Sequence, residues 1–324
     1  MRQYLDAVKT ILDIGTRKPN RTGVDTLSTF GVHYNIDLQQ GFPLLTTKKI
    51  SFKNIVIEML WFLSGQTNIE ILKRHGCKFW DAWADPETGE VPSAYGNFWR
   101  KFPVHTTRMA VNGSESNLST LPYEITEATF NDQIKFITDT LERDPSSRRM
   151  VVDAWAPGNA QTSKLPPCHC LFVVNVQNEE VYEARHEDSS LRTEQRLCLH
   201  LTQRSCDIAL GVPYNIASYA LLMHLLSKFS GIPVGTFGHT LVDAHAYTSK
   251  ADGSMAEYDH VPGLREQLER EPRPLPRLFV SDAIKSLGDI ENLMHVGVST
   301  EEVMSHFVLE DYNPHPAIAF KVAV

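Results

Sequence analysis

Cys168 follows two prolines in Leu165-Pro166-Pro167-Cys168-His169-Cys170 and opens an apolar run. The prolines fix the approach of the backbone, so the thiol is held at a strand mouth with little freedom to relax away. A thiol attacks efficiently only as thiolate, which a nearby cation or helix N-terminus favours. The same motif also fits a buried cysteine pair beside a turn. Zinc fits poorly: Cys168 and Cys170 lack a second pair at ligand spacing, and Cys198 and Cys206 fall on one predicted strand. No metal is expected. Glu58 is the one charge within Ile55-Val56-Ile57-Glu58-Met59-Leu60-Trp61-Phe62-Leu63. A carboxyl buried there has its pKa raised by desolvation, which suits a general acid or base near neutrality. The alternative is a solvent-facing helix position, against which Ile55, Trp61 and Phe62 on the same side argue.

Other side chains have the chemistry to hold an anion or a flat ring. In Gln203-Arg204-Ser205-Cys206-Asp207 the arginine offers a fork and the serine a hydroxyl, a pair suited to phosphate. Asn215, in Gly211-Val212-Pro213-Tyr214-Asn215, carries the donor and acceptor that an imide edge such as that of uracil requires. An asparagine after a Gly-x-Pro turn also serves as a helix cap. Arg148 and Arg149 follow Asp144-Pro145-Ser146-Ser147 just before a strand. Neighbours on a strand point to opposite faces, so the two meet one anion only if the backbone bends, and a solvated rim is the plainer reading. Arg21 lies on the turn Pro19-Asn20-Arg21-Thr22-Gly23. Phe79-Trp80-Asp81-Ala82-Trp83 gathers aromatic faces that sandwich a heterocycle or pack a core.

These groups need elements to position them. Apolar periodicity predicts helices over 2–15, 52–64 and 216–228. Leu27–Tyr34, Met150–Trp155, Leu171–Gln177 and 196–206 read as strands. Stretches at about 104–129, 178–194 and 248–267 are rich in Ser, Glu, Asp, Asn and Gly and read as surface excursions. The expectation is one α/β domain of the α+β type over residues 1–324, with a large mixed sheet flanked by helices and three insertions.

The 324 residues suffice for a sizeable core, and 42% hydrophobic with 22% charged residues is ordinary globular composition. A net charge of −8 argues against a dedicated nucleic-acid binder but leaves room for a local arginine pocket. Met1-Arg2-Gln3-Tyr4-Leu5-Asp6 is polar and enters an amphipathic helix, not an apolar signal core, and no stretch approaches the roughly 20 apolar residues of a membrane span. Asn112-Gly113-Ser114 is then a turn, not a glycosylation site. Five cysteines without secretory context point to reduced thiols and a cytoplasmic location.

The ordered series of motifs resembles the folate-dependent, cysteine-nucleophile thymidylate synthase family. It runs through Arg21-Thr22-Gly23, Phe42-Pro43-Leu44-Leu45-Thr46-Thr47-Lys48, Glu58–Leu63, Trp80-Asp81-Ala82-Trp83, Tyr95-Gly96, Ser147-Arg148-Arg149 and Pro167-Cys168-His169. It continues with Gln203–Asp207, Gly211–Tyr219, Asp243-Ala244-His245-Ala246-Tyr247, Glu271–Pro276, Pro314-His315-Pro316 and the C-terminal tail. The resemblance implies that Cys168 adds to C6 of dUMP while Glu58 manages protons. Tyr95 and His169 would line the catalytic water network, and Asp207 would act in catalysis and folate binding. Arg21, Gln203, Arg204 and Ser205 would hold dUMP, joined by Arg148 and Arg149 donated from the partner of a homodimer. Asn215 would read the uracil edge, and His245 with Tyr247 the sugar 3′-hydroxyl. Lys48, Trp80, Trp83, Gly211 and Ala323 would complete the site for the cosubstrate, 5,10-methylenetetrahydrofolate.

Some positions depart from the family pattern: Pro92-Ser93-Ala94, Thr202, Ala209, the 178–194 stretch and Phe237-Gly238-His239-Thr240. None removes a group with a chemical role. A pyrimidine-nucleotide hydroxymethylase of the same family is the nearest rival, and Asn215 favours uracil over cytosine within it. A nucleotide-binding regulator without catalysis is disfavoured by the intact Cys168, Glu58 and arginines. A Cys-His hydrolase is disfavoured because Cys168 and His169 are strand neighbours that point apart.

Overall fold

The computed structural model describes residues 1–110, 123–160, 163–185 and 188–323. Asn112-Gly113-Ser114 and Val324 lie outside the described residues. The first half of the chain carries α1 (Arg2–Ile14), β1 (Thr16–Lys18), β2 (Asp25–Asp37), α2 (Phe52–Leu63), α3 (Glu70–Arg74), α4 (Tyr95–Lys101), β3 (Phe102–Ala110), β4 (Tyr123–Asn131), α5 (Gln133–Arg143) and β5 (Val151–Asp153). The second carries α6 (Pro157–Ala160), β6 (His169–Arg185), β7 (Asp188–Asp207), α7 (Gly211–Ser230), β8 (Val234–Thr248), α8 (Val261–Glu269), β9 (Arg277–Val280), α9 (Leu287–Leu293), α10 (Thr300–Ser305) and β10 (Phe307–Glu310).

Six strands form one mixed sheet in the order β1-β2-β8-β7-β6-β5. All neighbours are antiparallel except β7 and β8. Strand periodicity gives the sheet two unlike faces. Across it, Val152, Phe172, Leu201, His239 and Tyr34 form one buried row. The adjacent rows of Val151, Val173, His200, Gly238 and Asn35, and of Leu171, Thr202, Thr240 and His33, lie on the opposite face. Of these, Val151, His33 and Asn35 are exposed.

The sheet packs on α1 and α7, and α2 packs in turn on α7. Eight of the twelve residues of α2 are buried, and its start is capped by Ser51, whose side chain accepts from Asn54 N–H. Pro213 stands in the first turn of α7, where its missing N–H costs nothing, and α7 ends at left-handed Gly231, whose N–H bonds Ser227 O. The N-cap position is Leu210, so Asn215 lies inside the helix and does not cap it.

The three excursions are more regular than their composition suggests. β3 and β4 pair from Phe102↔Asn131 to Ala110↔Tyr123. β6 and β7 stay paired out to Arg185↔Asp188, bridged by ion pairs such as Arg196–Glu179. In both, β-branched residues recur among the polar ones, and cross-strand pairing satisfies the backbone. The third stretch contains most of α8, which buries Leu264 and Gln267 and so forms part of the packed body.

Candidate active site

The Cys168 loop is held from two sides. Tyr95, the first residue of α4, accepts from Cys168 N–H at 2.9 Å and His169 N–H at 3.1 Å through its hydroxyl. Arg204 of β7 donates from Nε to Pro167 O at 2.9 Å and from Nη2 to Pro166 O at 2.8 Å, with its guanidinium 5.3 Å from the Trp155 ring centre. Pairing between β6 and β7 shifts register between His169 and Leu171, a bulge beside the nucleophile candidate. Burial pushes the Cys168 thiol up, while Arg204 and Arg21 pull it down without reversing the shift. His169 points away from that thiol: its ring stacks on Tyr95 at 4.6 Å, and its Nδ1 lies 3.2 Å from the Tyr219 hydroxyl. Burial brings the His169 pKa down to about 3, against the opposing pull of a hydrogen bond to Asn215, so the imidazole is neutral.

Glu58 borders the same space. Its Oε1 accepts from Trp80 Nε1 at 2.7 Å, and the Trp80 ring lies 6.0 Å from that of Tyr95. Desolvation lifts the Glu58 pKa to about 7, with the Trp80 bond opposing. Trp80 itself is buried and its indole is committed to Glu58, whereas Trp83 is half-buried with Arg21 6.0 Å from its ring centre.

Parallel pairing puts Gln203, Ser205 and Asp207 of β7 on one face with Leu241, Asp243 and His245 of β8. Gln203 Nε2 donates to Asn215 Oδ1 and to Ser205 O, each at 3.1 Å. His245 Nδ1 lies 3.1 Å from Asp243 O. Burial lowers the His245 pKa, but Asp243 and Asp207 outweigh it and the net shift is upward. Asp243, bonded also by Lys18 and Ser28, is held well below the usual carboxylate range, chiefly by His245. The Tyr247 ring packs edge-on to His245 at 5.5 Å, and burial raises its hydroxyl to about 12.

Beyond Asp207 lies the tail side of the site. Asp207 Oδ1 accepts from Ala209 N–H at 2.9 Å and Leu210 N–H at 3.1 Å, just before Gly211 begins α7. Lys48 is buried, donates to Ala209 O, and sits 4.7 Å from the Phe320 ring centre. Desolvation lowers its pKa to about 8 although Asp207 pulls it up. His260 Nε2 lies 2.9 Å from Lys321 O, tying the tail to α8. Ala323 is half-buried there.

Contacts thus join Cys168, His169, Tyr95, Trp80 and Glu58 in one run, to which Arg204 is tied through Pro166 and Pro167, while Gln203 joins Asn215 to Ser205 and His245 packs on Tyr247. Arg148 and Arg149 are exposed before the edge strand β5. Tyr219, His239, Tyr34 and Asp243 also bond into the site, though the sequence assigns none of them a role of its own. The spacing of Asn215 and Tyr219, four residues apart on α7, is the signal for Tyr219, since such residues share a helix face. Among the described residues no cluster of His, Cys, Asp or Glu is arranged to hold a metal, and no helix is long and apolar enough to cross a membrane.

The family profile described as thymidylate synthase matches residues 2–324. A curated relative from Haloferax volcanii named thymidylate synthase is 40% identical over 362 aligned positions, covering 98% of this chain and 95% of its own length.

Proposed function

The chain belongs to the thymidylate synthase family and is a methyltransferase, and from that premise we propose that Cys168 is the covalent nucleophile that methylates dUMP at C5. Cys168 Sγ, as thiolate, bonds to C6, and the C5–C6 π pair moves onto C5. C5 bonds to the one-carbon unit as that carbon's bond to one folate nitrogen breaks. C5 then loses its own proton, the bond to the second folate nitrogen breaks, and the exocyclic methylene left on the ring takes up hydride. Once that carbon has been reduced to a methyl, the S–C6 bond breaks, the C5–C6 double bond is restored and the thiolate returns. Methylenetetrahydrofolate, as cosubstrate, supplies the one-carbon unit and then the hydride, and leaves as dihydrofolate.

The observation that carries the reading is the Cys168 loop, clamped by the Tyr95 hydroxyl and the Arg204 guanidinium. Preorganised clamping of this kind holds a nucleophile in attack geometry. Arg204 and Arg21 favour the thiolate, and a dianionic phosphate held by Arg21, Arg204 and Ser205 orients the ring. Glu58, near pKa 7, exchanges protons at neutral pH. Asn215 meets the uracil edge, donating from Nδ2 to O4 and accepting at Oδ1 from N3–H. His245 and Tyr247 face the sugar. Part-accessible Trp83, Asp207, Gly211 and Ala323 fit an aromatic pterin and its tail, with Lys48 beneath them.

The enzyme acts as a homodimer through the opposite face of the sheet, where the mixed apolar and polar side chains of Val151, Val173, Leu171, Thr202, Thr240, His200 and His33 suit a self-complementary contact. Arg148 and Arg149, exposed beside that face, reach the partner's phosphate site. The enzyme works in the cytoplasm. Cys168→Ser should lose essentially all turnover while binding dUMP with near-native affinity by calorimetry. Retained turnover in that variant sinks the assignment.

A further inference from the structure

Asn215 is held by a chain of side chains that reaches across the sheet. Its Oδ1 accepts from Gln203 Nε2 at 3.1 Å, and the same amide donates to Ser205 O at 3.1 Å. Gln203 Oε1 lies 3.1 Å from His239 Nε2, and His239 Nδ1 lies 2.9 Å from the Tyr34 hydroxyl. Gln203, His239 and Tyr34 are all buried, so water cannot readily replace a lost partner. The chain follows strand register: Tyr34 faces His239 between β2 and β8, His239 faces Leu201 of β7, and Gln203 is two residues further on.

The polarity of this chain is determined from its ends. The Ser205 carbonyl can only accept, so it must face the NH2 of Gln203. Gln203 Oε1 is then left for His239, which must donate from Nε2. Burial holds the His239 pKa well below its ordinary value, so the ring is neutral and its Nδ1 is bare. Nδ1 therefore accepts the Tyr34 hydroxyl proton. Every donor points from Tyr34 toward Asn215.

That direction has a consequence for the base. With Oδ1 turned to the Gln203 amide, a second lone pair on Oδ1 accepts a ring N–H, and Nδ2 donates to a ring carbonyl. This is the order uracil presents. The flipped amide would set Nδ2 against Gln203 Nε2, donor against donor, and would instead complement the N3 acceptor and 4-amino donor of cytosine.

We propose that Tyr34 and His239 are positioning residues that lock the Asn215 amide through Gln203, and thereby set the preference for dUMP over dCMP. The proposal rests on Asn215 being the group that reads the base.

Dissociation constants for dUMP and dCMP, with kcat and KM for dUMP, test it in the full-length enzyme. Tyr34→Phe removes one hydroxyl and frees the other His239 tautomer, and should lower the dUMP:dCMP affinity ratio by about 3–10-fold. His239→Phe should lower it by about 10–30-fold, mainly through dUMP affinity and KM with kcat less affected, and His239→Gln, which keeps an amide donor, should restore most of it. Asn215→Asp should weaken dUMP and improve dCMP. A merely structural role would weaken both nucleotides alike. An unchanged ratio in Tyr34→Phe and His239→Phe, with Asn215→Asp still shifting preference, overturns the relay alone. No shift in Asn215→Asp removes the reader, and the proposal falls with it. If His239→Phe fails to fold, Tyr34→Phe decides.

Discussion

Burial and charge pull Cys168 in opposite directions, and in the free enzyme burial prevails. Glu58 shows the same conflict with a different outcome for function, because desolvation brings its pKa to about 7 instead of removing it from the working range. A raised carboxyl pKa means the native state keeps a proton that the unfolded chain releases above its ordinary value of 4.5. Stability from this group is therefore whole at low pH and is lost as pH rises from about 4.5 to about 7, by up to about 3 kcal/mol. Glu58→Gln removes that loss. Measured by urea denaturation, the variant should gain about 2–3 kcal/mol on wild type between pH 4.5 and pH 8, while its turnover falls steeply. A stability difference independent of pH would show that the carboxyl is ordinarily solvated. Cys168 and Glu58 were legible in the sequence because each is a local anomaly, a thiol behind two prolines and a charge in an apolar helix. Tyr34 and His239 were not, since they lie 205 residues apart and only strand register joins them. Asn215 was ambiguous between cap and reader until the start of α7 at Gly211 excluded the cap.

Helices α2 and α4 set how far Tyr95 reaches, and Gly96 sets how close those helices come. A Cβ on Gly96 would lie 2.7 Å from Phe62 O and 3.2 Å from the Cα atoms of Phe62 and Gly65. Backbone cannot yield as a side-chain tip can, so Gly96→Ala must push α4 outward. The expected cost is about 1–3 kcal/mol in chemical denaturation, with turnover falling further because Tyr95 leaves the Cys168 loop. Gly158→Ala, with open space around its Cβ, is the control and should stay within about 0.5 kcal/mol. Equal effects at the two positions would refute the packing argument. Long apolar elements such as α2 and α7 were readable from periodicity. The hairpin arms β3–β4 and β6–β7 were not, because their sequences lack an apolar/polar alternation and resemble loops in composition. Helix α8 was hidden similarly, its short apolar stripe masked by neighbouring Gly, Asp and Ser.

At the scale of the whole molecule, one face of the sheet is buried and carries the site, and the other bears exposed Val151, His33 and Asn35 beside half-buried Val173 and His200. Arg148 and Arg149 are exposed just before Val151, which lies on that second face, and in the proposed homodimer they serve the partner's pocket and not their own. Mixing Cys168→Ala with Arg148→Ala chains should then restore activity, since each hybrid dimer has one site with both groups intact. At equal input and full exchange about a quarter of all sites are competent. Failure after subunit exchange is demonstrated would mean that each pocket uses its own arginines. The general fold class and the identity of the reaction were legible because the motifs occur in order along nearly the whole chain. The proposed relation between copies rests on resemblance, since one chain's sequence does not state which face meets another. The most direct measurement of the central claim is product identification from the intact enzyme with dUMP and methylenetetrahydrofolate. Half-buried Trp83 and the tail tied to His260 favour hydride transfer before water enters. The account predicts dTMP and dihydrofolate in equal amounts, whereas 5-hydroxymethyl-dUMP with tetrahydrofolate would contradict it.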